Sequence, residues 1–148
     1  VGEVNVVTKM KETNTVIGGE GNGGVIYPES HYGRDALVGV GLFLSHFVAE
    51  GKSMTALKAT YPQYFISKNK LTLSPDMDVD KILEGLKKKY ASEEITDIDG
   101  VKIDFKDGWV HLRKSNTEPI IRIYSESKDE SAANQLAEDV IKVAKSLY

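Results

Sequence analysis

The chain has 148 residues, of which 41% are hydrophobic and 28% charged, a composition typical of a soluble globular protein. This length allows one ordinary domain or two small ones. A net charge of −3 argues against a nucleic-acid-binding protein, because such proteins usually carry a basic face. No apolar run reaches the roughly 18 residues that span a bilayer, so no membrane partner is expected.

The chain has no cysteine, so disulfides and thiolate chemistry are excluded. This usage is compatible with the cytoplasm, where we expect the protein to reside. No signal peptide is visible, and a start at Val1 rather than Met indicates a processed protein or an expressed part of one.

The N-terminal segment predicts one helix and two short strands. Val4–Lys11 spaces its apolar residues for one helical face. Thr15–Gly18 and Val25–Tyr27 favour short strands, and Pro28 ends the second.

A long apolar helix is predicted next. Asp35 is a suitable N-cap for a helix that starts at Ala36 and stops at Gly51. Because this helix is apolar nearly all round, we expect it to be deeply buried. His46 lies within it, which predicts a packing or hydrogen-bonded core residue. A shorter helix follows, capped by Ser53.

A glycine run, Gly19–Gly24, formally matches the G-x-G-x-x-G pattern of dinucleotide-binding turns. Such a turn must open a helix whose N-terminus holds the pyrophosphate. Here the next residues are β-like and lead into Pro28, so the context is wrong. On residues alone, the run favours a flexible turn.

In the middle of the chain, the helical pattern ends and an extended segment rich in aromatic residues begins, Tyr61–Lys70. It could be a hinge or a fixed connecting strand, and we place a domain boundary at Ser67, giving domains 1–67 and 68–148. Asp76–Asp80 lacks the glycine and glutamate of a calcium loop, so its acids are predicted to cap a helix.

The second domain is predicted to contain four antiparallel strands between two amphipathic helices, which is an α+β fold with the helices on one face. Asp-Gly and Lys-Asp-Gly sequences mark two of the turns. The predicted strands are Glu94–Ile98, Val101–Phe105, Trp109–Leu112 and Ile120–Tyr124.

The loop Arg113–Pro119 lies between two of these strands and is rich in hydrogen-bond donors. An arginine fork, two hydroxyls, an amide and successive backbone N–H groups could bind one phosphate. The same residue types are also common in plain surface turns.

Arg113-x-Ser115-Asn116-Thr117-Glu118-Pro119-x-x-Arg122 resembles the phosphate-binding loop of the α-D-phosphohexomutases, in their C-terminal domain. The resemblance implies that the phosphate is held by Arg113, Ser115, Asn116, Thr117 and Arg122. Arg122 could instead brace the loop through Glu118.

The glycine run resembles the sugar-recognition loop of the same family. Asn22 stands where serine is usual and Gly24 where histidine is usual. The resemblance implies that Glu20 and Asn22 bind the sugar. A carboxylate such as Glu20 can accept from two adjacent hydroxyls. Val1-Gly2-Glu3 resembles a Val-Gly-Asp pattern near the family's active site, which makes Glu3 a further candidate, together with Arg34.

The resemblance covers the whole chain but only about the last third of a family member. It implies an α/β partial domain, the end of a three-layer α/β/α domain three, followed by a complete domain four. The chain would therefore begin within a domain, and its partners would be the N-terminal domains of the same enzyme.

In this family a phosphoserine of the first domain exchanges its phosphoryl group with a phosphosugar substrate through a bisphosphorylated sugar intermediate. Mg²⁺ is bound by the second domain. Neither the serine loop nor an Asp-Gly-Asp metal pattern is present in this sequence, so the chain alone is expected to be inactive, with no catalytic residue and no metal ligand. The glycine-rich loop favours phosphoglucosamine mutase. Phosphomannomutase, phosphoglucomutase and a non-catalytic phosphate-binding module remain alternatives.

Overall fold

The computed structural model of the chain describes residues 2–74, 76–115 and 117–147. It divides into two compact units, Val1–Pro62 (unit one) and Gln63–Tyr148 (unit two). Within the described residues, no helix combines the length and the apolar character needed to cross a bilayer.

Unit one is a small three-stranded antiparallel sheet with three helices. Strand β2 lies in the centre, between β1 and β3. Its buried core contains Met10, Ile26 and Leu57. The elements are α1 (Glu3–Thr13), β1 (Gly18–Gly19), β2 (Val25–Tyr27), β3 (His31–Arg34), α2 (Ala36–Glu50) and α3 (Met54–Lys58).

The caps predicted for α2 and α3 are confirmed. The Asp35 carboxylate accepts a 2.9 Å hydrogen bond from the Val38 backbone N–H, and this bond holds the Asp35 pKa below its ordinary value. Helix α2 stops at Glu50, and the following Gly51 has a left-handed backbone with φ of 60°. The Ser53 hydroxyl accepts from the Ala56 N–H at the start of α3.

The predicted burial of α2 is wrong. The helix forms over the expected range, but no residue of it is buried, and Leu37 is 84% exposed. His46 is exposed as well, so it is not the core residue that the sequence predicts. The physical reason is that unit one offers α2 little surface to pack on. Gly39 lies against Val25 of β2. About half or more of each side chain in an apolar stripe of the helix stays exposed; the stripe consists of Leu37, Val40, Leu44 and Val48.

Unit two is a five-stranded antiparallel sheet with two helices, in the strand order β4-β8-β7-β6-β5. Its core joins Val110 and Leu112 of the sheet to Leu86 and Val140 of the helices. The elements are β4 (Phe65–Thr72), α4 (Val79–Lys89), β5 (Glu94–Thr96), β6 (Val101–Phe105), β7 (Gly108–Lys114), β8 (Ile120–Ser127) and α5 (Glu130–Lys145).

The sheet has one strand more than the four that the sequence predicts. Residues 65–72, for which a hinge and a strand were both open, form β4 and pair with β8 over eight positions. Ser67 therefore lies inside a strand. The segment contains Lys68, Asn69 and Lys70, so its sequence does not show the apolar pattern of a typical strand. Polar residues are common in an edge strand such as β4, because its outer side has no neighbouring strand.

Side chains alternate between the two faces of this sheet. Leu112, Ile121 and Ile123 face the helices and are fully buried. Arg113 and Arg122, which are Cα partners across β7 and β8, lie on the opposite side, which we call the open face. The open face therefore carries the polar residues that lead into the turn after β7.

Candidate functional site

The turn between β7 and β8 is closed by backbone hydrogen bonds. The Ser115 N–H donates to the Ile120 carbonyl at 3.0 Å, and the Ile120 N–H donates to the Glu118 carbonyl at 2.8 Å. From the neighbouring edge, the Leu73 N–H donates to the Pro119 carbonyl at 2.9 Å. The turn is thus anchored on two strands, which favours a fixed binding loop over a loose connection.

Two hydroxyls predicted to bind phosphate come together in this turn. Ser115 Oγ lies 3.4 Å from Thr117 Oγ1 and accepts from the Thr117 N–H at 3.4 Å. Ser115 is only 6% exposed, whereas Thr117 is exposed. Asn116, the predicted amide donor between them, lies outside the described residues. Each hydroxyl can donate a hydrogen bond to an anion bound beside the turn.

Arg113 lies one residue before the end of β7, where it faces Arg122 across the ladder. Like charges in opposite positions are destabilising, and each arginine has a carboxylate partner. Arg113 Nη1 donates to Asp99 at 2.9 Å, and Arg122 Nη2 lies 3.5 Å from a Glu118 carboxylate oxygen. The sequence left the role of Arg122 open, and this geometry gives it a bracing contact within the turn.

Asp99 and His111 were not singled out from the sequence. His111 Nε2 lies 2.6 Å from the Asp99 carbonyl oxygen, and because a carbonyl only accepts, the imidazole donates through Nε2. Burial lowers the pKa of His111, which favours the neutral ring. The Asp99-Gly100 turn could have indicated these residues. Pairing β6 with β7 in the register that the turns set places Asp99 beside the end of β7.

The glycine loop of unit one is folded on itself. Asn22 Oδ1 accepts from the Gly24 N–H at 2.9 Å, and the Gly23 N–H donates to the Glu20 carbonyl at 3.0 Å. The Glu20 carboxylate accepts a 2.7 Å bond from the Gly2 N–H. The two predicted sugar-binding residues are thus oriented by the loop's own backbone and by the start of α1.

An open cavity of about 620 Å³ lies beside this loop. It brings together Asn22 and the two further candidates, Glu3 and Arg34, which form an ion pair of 2.7 Å. Gly24 packs directly on the Arg34 side chain, where a Cβ would displace it. The cavity wall therefore offers an amide, a carboxylate and a guanidinium, which suit hydroxyl-rich ligands.

Comparison with known families accounts for both units. A model described as phosphoglucomutase/phosphomannomutase, alpha/beta/alpha domain III, matches residues 1–64. The model of the C-terminal domain of the same family matches residues 70–143. The chain belongs to the phosphoglucomutase/phosphomannomutase family, the α-D-phosphohexomutases, and corresponds to the end of domain III followed by the C-terminal domain.

Individual relatives agree with this assignment. A phosphoglucosamine/phosphogalactosamine mutase of Sulfurisphaera tokodaii is 39% identical over 97% of this chain and 32% of its own length. A phosphoglucomutase/phosphomannomutase of Thermococcus kodakarensis is 41% identical over 97% of this chain and 31% of its own.

A crystal structure of a phosphoglucomutase/phosphomannomutase family protein from Burkholderia thailandensis superposes with a TM-score of 0.73 at 25% identity. That comparison covers 99% of this chain and 31% of the other. The chain thus spans about a third of the length of the relatives that it matches.

Proposed function

We propose that the chain is the substrate-positioning part of a phosphohexomutase that interconverts a hexose 6-phosphate and a hexose 1-phosphate. The observation that supports this most directly is the anchored turn after β7. There the hydroxyls of Ser115 and Thr117 lie 3.4 Å apart. Arg113 precedes Ser115 by two residues on β7 and keeps N–H donors beyond the one that it gives to Asp99. Together with Asn116, these groups would hold the phosphate that is not reacting.

The sugar would be held by unit one. Glu20 and Asn22 sit in a loop whose glycines allow close backbone approach, and Asn22 lines the cavity with Glu3 and Arg34. A phosphate clamp and a hydroxyl clamp suit a substrate that must bind in two orientations, because either end is then left free to react.

The chemical step itself is assigned to residues outside this chain. In the proposed enzyme a phosphoserine exchanges its phosphoryl group with the substrate through a bisphosphorylated sugar. Among residues 2–74, 76–115 and 117–147, no three acidic or histidine side chains group as metal ligands. Because the family resemblance implies a Mg²⁺ ion in the second domain, we propose that Mg²⁺ is held there in the whole enzyme.

For the sugar, we propose glucosamine phosphate, in a cytoplasmic enzyme. The glycine-rich loop favours it, and one relative is named a phosphoglucosamine/phosphogalactosamine mutase. Mannose and glucose phosphates are the alternative, since another relative is named a phosphoglucomutase/phosphomannomutase.

The test uses the full-length protein to which we propose that this chain belongs. Conversion of glucosamine, glucose and mannose 6-phosphates to their 1-phosphates is followed by ³¹P NMR. We expect conversion, fastest with glucosamine 6-phosphate, and none with the 148-residue chain alone. Arg113→Ala should lower kcat/KM by about a hundredfold, as expected for loss of a bidentate phosphate contact.

Lys106→Ala is the matched control. Lys106 is an exposed cation in the turn at the opposite end of β7, about 20 Å from the phosphate turn by strand geometry. Its loss should leave kcat/KM unchanged. No conversion of any of the three sugars would contradict the enzyme assignment and favour a non-catalytic phosphate-binding module. If Arg113→Ala has the same kcat/KM as Lys106→Ala, the proposed role of Arg113 is contradicted.

A further inference from the structure

We propose that Asp99, held in place by His111, is a positioning residue of the phosphate site. Asp99 would fix the Arg113 guanidinium so that its remaining N–H groups are presented to the phosphate. This inference rests on the proposed phosphate-binding role of Arg113.

The contact between Asp99 and Arg113 has the geometry of a holding interaction. Arg113 Nη1 donates to Asp99 Oδ2 at 2.9 Å, and both side chains are about one third exposed, at 33% and 32%. A guanidinium has five N–H donors, so a single contact at Nη1 leaves donors for a second anion. An arginine fixed in this way loses less side-chain entropy when it binds phosphate.

Asp99 is itself fixed from two sides. The buried His111 ring, 7% exposed, donates to the Asp99 carbonyl at 2.6 Å. Gly100, with φ of 77°, lies directly on the end of β7, where a Cβ would stand 3.0 Å from Arg113 Cα and collide with the Leu112 carbonyl. The tip of the β5–β6 hairpin is therefore locked to the strand that carries Arg113.

Charge alone predicts the opposite effect, which makes the inference testable. Asp99 is an anion near a proposed phosphate site, so by Coulomb repulsion its removal should strengthen phosphate binding. If Asp99 positions Arg113, its removal should weaken binding instead. The sign of the change separates the two.

The experiment is an NMR titration of the 148-residue chain with glucosamine 6-phosphate, followed at the amides of Ser115 and Thr117. Asp99→Ala should weaken binding about five- to tenfold, because the Arg113 side chain must then be ordered when phosphate binds. Asp104→Ala is the matched control: Asp104 pairs with Lys102 on the same sheet, also with side chains about one third exposed, at 32% and 35%. It should leave the affinity unchanged.

A second pair of variants tests whether Asp99 acts through Arg113. In an Arg113→Ala background, Asp99→Ala should cause no further loss of affinity, because the group that it positions is gone and only the relief of Coulomb repulsion remains. A further loss in that background would overturn the inference, as would unchanged or tighter binding by Asp99→Ala alone.

The role of His111 is tested by two substitutions of similar size. Leucine removes the donor, and we expect about threefold weaker binding, whereas glutamine retains an N–H donor and should bind more tightly than leucine. Equal affinity of His111→Leu and wild type would overturn the role of His111.

Failure of the proposed function has a different signature. It would appear as no shift with wild type, or as an Arg113→Ala variant that binds as well as wild type.

Discussion

Glu3 and Arg34 lie 31 positions apart in the sequence, yet the Glu3 carboxylate holds Arg34 with both oxygens. Oε2 accepts a 2.7 Å bond from Arg34 Nε, and Oε1 accepts a 3.3 Å bond from the Arg34 backbone N–H. Through these two contacts the first turn of α1 is tied to the last residue of β3, at the wall of the cavity.

The first prediction concerns this tie. Glu3→Ala should lower the free energy of unfolding by about 0.5–1 kcal/mol, because it removes a partly exposed ion pair and one backbone hydrogen bond. The measurement is urea unfolding. Glu12→Ala, which breaks the more exposed pair with Lys9 on the same helix, should change stability by less than about 0.5 kcal/mol. Equal losses in the two variants would contradict a special role for Glu3.

The second prediction compares two glycines. Gly100→Ala should destabilise unit two by about 2 kcal/mol or more, because a left-handed backbone and a collision with the Leu112 carbonyl act together. Gly41→Ala should stabilise unit one by about 0.5–1 kcal/mol, because Gly41 lies in a helix and its Cβ would meet open space. Thermal unfolding of both variants is the check, and a Gly100→Ala variant as stable as wild type would contradict the packing described.

Features that depend on neighbouring residues could be predicted from the sequence. The caps at Asp35, Ser53 and Asp78 are examples, because each side chain bonds to a backbone N–H two or three residues on. Strand β6, which lies between two Asp-Gly turns, and strands β7 and β8 on either side of the Arg113–Pro119 loop were likewise recognisable from their β-branched and aromatic residues.

Features that depend on distant partners could not be predicted. The exposure of α2 is decided by what the rest of unit one offers it to pack on, and β4 is revealed only by its pairing with β8. At the candidate phosphate site the turn residues were recognisable, but the contact of Asp99 with Arg113 crosses 14 positions and depends on the hairpin register.

The third prediction is a pH dependence of stability that originates from His111. Burial places its folded-state pKa below the unfolded value of about 6.5. Above that value both states are neutral, and the stability is fully present. As the pH falls below about 6.5 the unfolded state takes up the proton first, so stability is lost down to the folded-state pKa.

The measurement is the Tm of wild type and of His111→Gln at pH 7.5 and 5.5. Wild type should lose more Tm on acidification than the variant, which lacks the titrating ring. The remaining ionisable side chains are the same in both proteins and cancel in the comparison. An equal loss in both would show that His111 does not contribute to the pH dependence.

The last prediction concerns the apolar stripe of α2. Leu37, Val40, Leu44 and Val48 recur at helical spacing and are 84%, 55%, 49% and 76% exposed. A contiguous apolar surface of this kind promotes association. The 148-residue chain should therefore self-associate as its concentration rises, which light scattering after size exclusion can measure.

Replacing Leu37 with Glu and Val48 with Lys should abolish this association without lowering the Tm, because both side chains are largely exposed. Val4→Lys is the control, since Val4 is 78% exposed but lies on α1, outside the stripe. A wild-type chain that stays monodisperse and monomeric at high concentration would show that the stripe does not drive association. Reduced association of the Val4→Lys variant to the same extent would assign the effect to exposed apolar residues in general.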